Sequence, residues 1–329
     1  MRSFAMVFCL SLLTVALLTG SAQASTVKGC VIKHHTSCHH KDLSGQDLRR
    51  AVLHHSVLHH INLRKADLRG ADLSYADLRK ADLRGANLRG ANLKGAKLHH
   101  YTAPKKKGAR TVQATPACAP NCKGADLRGA DLTWANLGSA NLNGAILQSA
   151  NLSYAGLYSA NLTSANLQSA NLSHASLHGA ILSLANLWAA NLTSAYLDDA
   201  YLVDAMLNGA ILTGANLYGA YLTNASLYGA NLQSANLTTA SLDGANLTNA
   251  YLVDAILTLA NLNSANLTGA NLNGANLTGA DLWYANLNGA NLTSANLTSA
   301  NLTGANLAGA TSCSTVTPIG TLNGLGCTN

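Results

Sequence analysis

The chain has 329 residues, only 11% of them charged and 5% aromatic, and its acidic residues are all aspartate. Its formal net charge of +7 hides a division: residues 25–110 hold 18 Lys and Arg against 6 Asp, whereas from Gly124 onward 1 Arg faces 8 Asp. Acid/base pairs would have to be built from Asp alone, no phosphate-cradling Gly loop follows a strand, and no Ser-His-Asp set converges, so an enzyme is not expected.

Residues 1–24 read as a secretory signal, with Arg2, an apolar run from Phe4 to Leu18 and a small-x-small site at Ala22-Gln23-Ala24. An uncleaved anchor is the alternative, disfavoured because the run is short for a membrane span. Removal of the signal leaves 6 cysteines in local pairs. An even count in an exported chain favours disulfides, and the nearest-neighbour bridges Cys30–Cys38, Cys118–Cys122 and Cys313–Cys327 are expected because each pair lies outside the regular repeats. The other possibility is a metal site, although the spacing does not match a zinc module.

Residues 25–40 are rich in Cys and His and read as an N-terminal cap. Residues 41–100 carry Leu at every fifth position from Leu43 to Leu98, 12 repeats in all. Residues 101–124 lose that frame and hold three of the 4 prolines, a lysine triplet and two cysteines, which suits a loop extruded from one corner. A hinge between two separately stacked rods is the alternative. If no side is lost, Leu127 takes the next place after Leu98, and the column of Arg64 and Arg84 continues through Arg128. The frame then holds unbroken over residues 125–310, with 37 leucines each preceded two residues earlier by Ala. Residues 311–329 read as a C-terminal cap, since solenoid ends expose strand edges.

A period of five is neither a helix nor a flat strand. Residues two apart in extended backbone point to the same side, so Ala and Leu face inward while the residue between them, most often Asn, faces out. The remaining two residues are turn chemistry. Each pentapeptide is therefore one side and one corner, four sides close a lap of 20 residues, and laps stack at about 4.8 Å. Burying one Leu contributes about 1.5–3 kcal/mol, while ordering five residues costs about 5–10. Contacts between stacked laps must supply the difference.

This Ala-Asn/Asp-Leu-x-x run resembles the pentapeptide-repeat family over about three quarters of the chain. The resemblance implies an all-β solenoid, a right-handed quadrilateral parallel β-helix, here with disulfide-stapled terminal caps. It implies function weakly, because members serve unrelated roles. Some resemble DNA in shape and charge and protect topoisomerases, but this chain departs from them: its first laps are basic and its Asp residues form no continuous ladder. That role is kept as a remote reading.

With a 20-residue lap, residues 20 apart form surface columns. His54/His55 follow His34/His35, and His59/His60 follow His39/His40, so eight imidazoles are expected to crowd one corner. Imidazoles so close suit Zn, Cu or Ni; the bland alternative is a solvated basic face that gains charge below about pH 6.5. Arg49, Arg69 and Arg89 form one column, Arg64 and Arg84 another, and Arg79-Lys80 a third. These make an anion-binding face for an acidic polysaccharide, acidic lipid or protein partner; a solubilising surface is the bland alternative. Nucleic acid is disfavoured because aromatic interleaving is lacking apart from Tyr75.

In the long block, Tyr196, Tyr201, Met206, Tyr221 and Tyr251 replace outward Asn and suggest a partner patch. Trp134, Tyr154 and His174 form a small ladder suited to a sugar ring or a partner. The expected function is thus an exported, periplasmic or secreted bacterial rod that binds through its basic end. The alternative is a periplasmic metal-binding protein using the His doublets, with no other cofactor.

Overall fold

A leucine at every fifth residue is buried only if the chain turns a corner between one leucine and the next. The computed structural model describes residues 25–84, 86–98 and 122–317, and in it the chain turns that corner at each repeat. The Leu187 amide donates to the Met206 carbonyl at 2.7 Å in the lap above, and the Asn186 amide donates to the Ala165 carbonyl at 2.9 Å in the lap below. Parallel bridges of this kind recur from Ser37↔Val57 to Asn296↔Val316. The four leucines of each lap and the alanine before each point into a shared core, where nearly all of them are buried.

Corners follow from the same local chemistry. The Ala190 amide donates back to the Leu187 carbonyl at 3.0 Å, closing a turn. The outward Asn caps it, as where the Gln168 amide donates to Asn166 Oδ1 at 3.1 Å. The last corner residue is left-handed whether or not it is glycine, for example Ser149 at φ 56° and Trp134 at φ 60°. Such a residue is strained by about 1–2 kcal/mol. Its amide donates to the neighbouring lap, Ser149 to the Gln168 carbonyl at 2.9 Å, which offsets the cost. Outward Asn residues also stack as amide ladders, Asn171 Nδ2 donating to Asn151 Oδ1 at 3.1 Å across a separation of 20.

The N-terminal end is closed by an antiparallel hairpin, β1 (Ser25–Val27) and β2 (Cys30–Ile32), turning through left-handed Lys28 and Gly29. The Cys30–Cys38 bridge is present, with Cα atoms 5.3 Å apart, and ties this hairpin to the first lap. Cys38 fills the inward place one repeat before Leu43. Below the first lap, the Thr36 amide donates to Ser56 Oγ at 3.2 Å, so the polar inward residues of this end partner each other. At the far end the coil runs on past residue 310, through Thr311 and Val316, with Ser312 buried in the leucine place. Cys313 is disulfide-bonded to a partner beyond the described residues, and Cys327 also lies outside them. The signal-like segment and residues 99–121 fall outside the described residues as well.

Two expectations at the interruption are corrected. Cys122 is a free, buried thiol, not half of a Cys118–Cys122 bridge; Cys118 itself lies outside the described residues. Its amide donates to the Asn141 carbonyl at 2.9 Å, as the Leu142 amide does to Asn161 at 2.7 Å. Cys122 therefore occupies a leucine place, and its sulfur is spent on the core. In consequence Leu127 is the second repeat after Leu98, not the first, and Asn87 pairs with Asp126, Asn92 with Asp131 and Lys97 with Asn136. Arg128 thus continues the column of Arg49, Arg69 and Arg89, not that of Arg64 and Arg84.

Candidate functional site

Apart from Arg50, which takes the second corner place, the arginines of the basic block stand at the first corner place after a leucine, two residues beyond the outward position of the side. Where that outward residue is Asp, the guanidinium folds back onto it. Arg49 Nε and Nη2 donate to Asp47 at 2.8 and 2.5 Å, Arg69 to Asp67 at 2.8 and 2.6 Å, and Arg84 to Asp82 at 2.8 and 2.5 Å. Arg79 with Asp77 and Arg128 with Asp126 repeat the motif. Each side-chain bond from its arginine holds the carboxyl of Asp67, Asp82 and Asp126 below the ordinary range, and holds Asp47 at about 2. Where the outward residue is Asn, no such pair forms. The Arg64 and Arg89 amides are capped by Asn62 and Asn87, and both side chains are exposed without a carboxylate within ion-pair distance among the described residues.

Of the predicted anion-binding set, Arg49, Arg69, Arg79 and Arg84 are thus internally paired, while Arg64, Arg89 and Lys80 are not ion-paired among the described residues. Arg50 and Lys65, passed over in the sequence, are exposed beside them. A shallow hollow of about 600 Å³ lies on Asp47, Arg49, Arg50 and Arg69. A second, of about 310 Å³, is lined by Arg89, Arg128 and Gln148, and exists because the interruption brings Arg128 over Arg89.

The histidines occupy two adjoining corners, not one, because doublets five residues apart follow successive sides. On the first, His34 stacks on His54 with centroids 5.2 Å apart and His35 on His55 at 5.1 Å. On the second, His39 stacks on His59 at 5.0 Å and His40 on His60 at 4.5 Å. His34, His35 and His54 bring three ring nitrogens within 4.8 Å of one another, as do His40, His59 and His60. The other two histidines are engaged elsewhere, His39 with Ser37 Oγ at 2.9 Å and His55 against the Tyr75 ring at 5.0 Å. Desolvation, aided by the charges of His40 and Lys80, lowers the pKa of His60 and so favours its neutral, ligating form. His54 Nδ1 is buried without a hydrogen bond; Asp72 Oδ2 lies 3.3 Å away.

The partner patch is not one patch. Tyr196, Tyr201 and Met206 stand on three successive sides of a single lap, and Tyr251 lies on the remaining side two laps on, so they form a belt around the rod. Only Tyr201 and Tyr221 share a side, with rings stacked at 4.8 Å. Sequence reading also missed a cluster of His178, Asp198 and Asp199, where His178 pairs with Asp198 one lap above. Their spacing of 20 was the available signal.

The matched family model is that of pentapeptide repeats, in eight copies over residues 34–70, 66–100, 125–163, 160–199, 170–209, 200–238, 240–279 and 275–311. Among solved structures, the chain is similar to HetL, a pentapeptide repeat protein involved in heterocyst differentiation regulation in the cyanobacterium Nostoc. The two are 33% identical over 86% of this chain and 92% of HetL, with a TM-score of 0.23. Rfr23 from the cyanobacterium Cyanothece is 43% identical over 30% of this chain and 63% of its own, with a TM-score of 0.22. A pentapeptide repeat protein from the Arabidopsis thaliana thylakoid lumen is 28% identical over 41% of this chain and 66% of its own, with a TM-score of 0.16. No curated protein sequence matches the chain. With pentapeptide repeats matched along most of its length, the chain belongs to the pentapeptide-repeat family, whose members fold as right-handed quadrilateral β-helices.

Proposed function

We propose that this protein is an exported, non-enzymatic binding rod whose basic N-terminal laps hold an anionic polymer of a cell envelope or matrix. One observation carries the reading: Arg49, Arg69, Arg89 and Arg128 form a single column across the interruption, and among the described residues neither Arg89 within it nor Arg64 on the neighbouring side has an ion-pair partner. Arg49, Arg69 and Arg128 are each balanced by an aspartate, so the uncompensated charge of this face is that of Arg89 and Arg64, and a polyanion laid along it supplies their counter-charge. Guanidinium groups suit bidentate contact with carboxylate, sulfate or phosphate.

Retention on a heparin column against a salt gradient tests it. Arg64→Gln with Arg89→Gln is expected to elute at lower salt than the parent chain. Asp67→Asn with Asp82→Asn, which frees two paired guanidinium groups, is expected to elute at higher salt. Unchanged elution of both variants would sink the reading.

A second reading, a metal-binding protein, is supported by the two histidine triplets. Three imidazole nitrogens need only small rotations to meet one Zn, Cu or Ni ion. Calorimetric titration with Zn is expected to give two sites per chain, with His54→Ala removing one and His59→Ala the other. The absence of saturable binding at micromolar Zn would end this reading.

A further inference from the structure

The two histidine triplets are built alike, but the lap above them covers them differently. The His55 amide donates to the Ser74 carbonyl at 2.8 Å and the His60 amide to the Arg79 carbonyl at 2.9 Å, so Ser74 and Arg79 hold the same place over their corners. Tyr75 then stands over His55, with the rings stacked at 5.0 Å, while Lys80 stands over His60 and acts on it by charge. One corner is therefore covered by two neutral residues and the other by two cations.

That difference also decides what two aspartates can do. Asp72 and Asp77 are the outward residues just before Ser74 and Arg79. Arg79 folds back onto Asp77, Nε donating to Oδ1 at 2.6 Å and Nη2 donating to Oδ2, so both carboxylate oxygens are occupied. The shorter Ser74 leaves one oxygen of Asp72 over. Its amide and hydroxyl donate to Asp72 Oδ1 at 3.1 and 2.7 Å, and Asn92 Nδ2 donates to the same oxygen at 3.0 Å. With Oδ1 held by three donors, Oδ2 faces His54 Nδ1, 3.3 Å away, and among the described residues His54 is the one group in ion-pair range of Asp72.

His54 Nδ1 is buried with no hydrogen-bond partner, so Asp72 is the acceptor within its reach. An imidazole that ligates a metal almost always donates its other ring N–H to a carboxylate, carbonyl or water, which fixes the ring and leaves the second nitrogen for the ion. On the second corner Asp77 is taken, and His59 Nδ1 lies instead 3.1 Å from His60 Nδ1, so those two rings bond to each other. The same Lys80 charge that disfavours a proton on His60 disfavours a metal ion there.

We infer that the triplets are unequal: His34, His35 and His54 form the tight divalent-cation site, with Asp72 as its positioning residue through His54 Nδ1, and His40, His59 and His60 form a weak one. This rests on the metal-binding reading above and adds which triplet fills first and why. Zn–N bonds of about 2.0–2.1 Å place tetrahedral nitrogens about 3.4 Å apart. The nitrogens of the first triplet lie within 4.8 Å of one another, so small rotations of the exposed His34 and His35 toward a fixed His54 close the site.

Calorimetric titration of the full chain with Zn at neutral pH tests it. His59→Ala isolates the first site, His54→Ala the second, and the double variant gives the background. The first site is expected to bind at least tenfold more tightly than the second. In the His59→Ala chain, Asp72→Asn is expected to weaken binding about 10–100-fold. Ser74→Arg, which gives the first corner the cover of the second and ties Asp72 to a guanidinium, should weaken it likewise. In the His54→Ala chain, Arg79→Ser with Lys80→Tyr frees Asp77 and should strengthen the second site, a gain that a merely structural role for the aspartate would not produce. Each substitution installs a residue that the basic block already carries at the equivalent place, as at Asn62, Arg84, Ser74 and Tyr75, so the coil is expected to be kept. Two sites of equal affinity, a first site unmoved by both Asp72→Asn and Ser74→Arg, or a second site unmoved by the exchange overturns the inference and leaves the metal reading standing. No saturable binding at either corner overturns that reading and the inference with it.

Discussion

Arg89 and Arg128 are neighbours: the Gly90 amide donates to the Arg128 carbonyl at 3.0 Å, so the two arginines stand one above the other on the same corner. Elsewhere in the rod such neighbours are 20 residues apart. Here residues 99–121 lie outside the described residues, and Cys122 fills the leucine place next after that of Leu98, before the Ala-x-Leu frame resumes. One small, apolar thiol thus decides which columns of the basic block join which columns of the long block. The charged column thereby gains Arg128.

Acid should open the basic end first. Asp47 is held at about 2 by the side-chain bond from Arg49, and Asp67 and Asp82 are lowered by their own arginines. Carboxyls depressed in the folded state give stability that is complete above the unfolded value, about 3.9, and is lost as pH falls toward the folded one. His60, lowered chiefly by desolvation, has the same sign. The unfolded chain takes up that proton first, so stability begins to fall below about pH 6.5. Hydrogen exchange at pH 7, 5 and 3 is expected to show loss of protection at Leu53 and Leu73 before Leu192 and Leu212. Simultaneous loss, or loss in the long block first, would contradict this.

Cys122 should be chemically silent. Burial, with a smaller contribution from the Asp82 charge, pushes its thiol up to about 12, so little thiolate exists at neutral pH. Iodoacetamide at pH 8 is expected to leave the Cys122 peptide unmodified in the native protein and to alkylate it in denaturant, as read by mass spectrometry. Cys122→Leu, which restores the residue of the frame, is expected to change stability by less than about 1.5 kcal/mol. Rapid native alkylation, or recovery of a bridged Cys118–Cys122 peptide, would show that the residue does not sit in the core.

The cost of a cavity should depend on its place along the rod. Leu187 is fully buried between laps, whereas Leu302, near the end of the described residues, is only partly buried. Leu187→Ala is expected to cost about 2–5 kcal/mol in urea unfolding. Leu302→Ala should cost clearly less, because its side chain is already partly exposed among the described residues. Equal losses would argue against a stack stabilised by nearest neighbours.

Much of this fold was legible in the sequence because burial is strict. Ala125 to Leu307 repeats one inward pair without a slip, and only a four-sided lap buries both members at every repeat. The His and Arg columns within the first block followed from the same spacing. What could not be read was the register across the interruption, since nothing marks Cys122 as a leucine substitute when a second cysteine stands at Cys118. Nor did net charge reveal that the arginine at Arg69 is tied to Asp67 while that at Arg89, following Asn87, is free of such a bond. One acid-to-amide difference at the outward position separates the two, and a charge count weighs them alike.

The most direct test of the register is covalent. Residues at one corner place in adjacent laps are about 4.8 Å apart, within the range a disulfide spans. Arg89→Cys with Arg128→Cys is expected to form an intramolecular bridge on mild oxidation, identified by peptide mapping, whereas Arg84→Cys with Arg128→Cys is not. A bridge in the second variant and none in the first would place Leu127 directly after Leu98, and would take the four-arginine column with it.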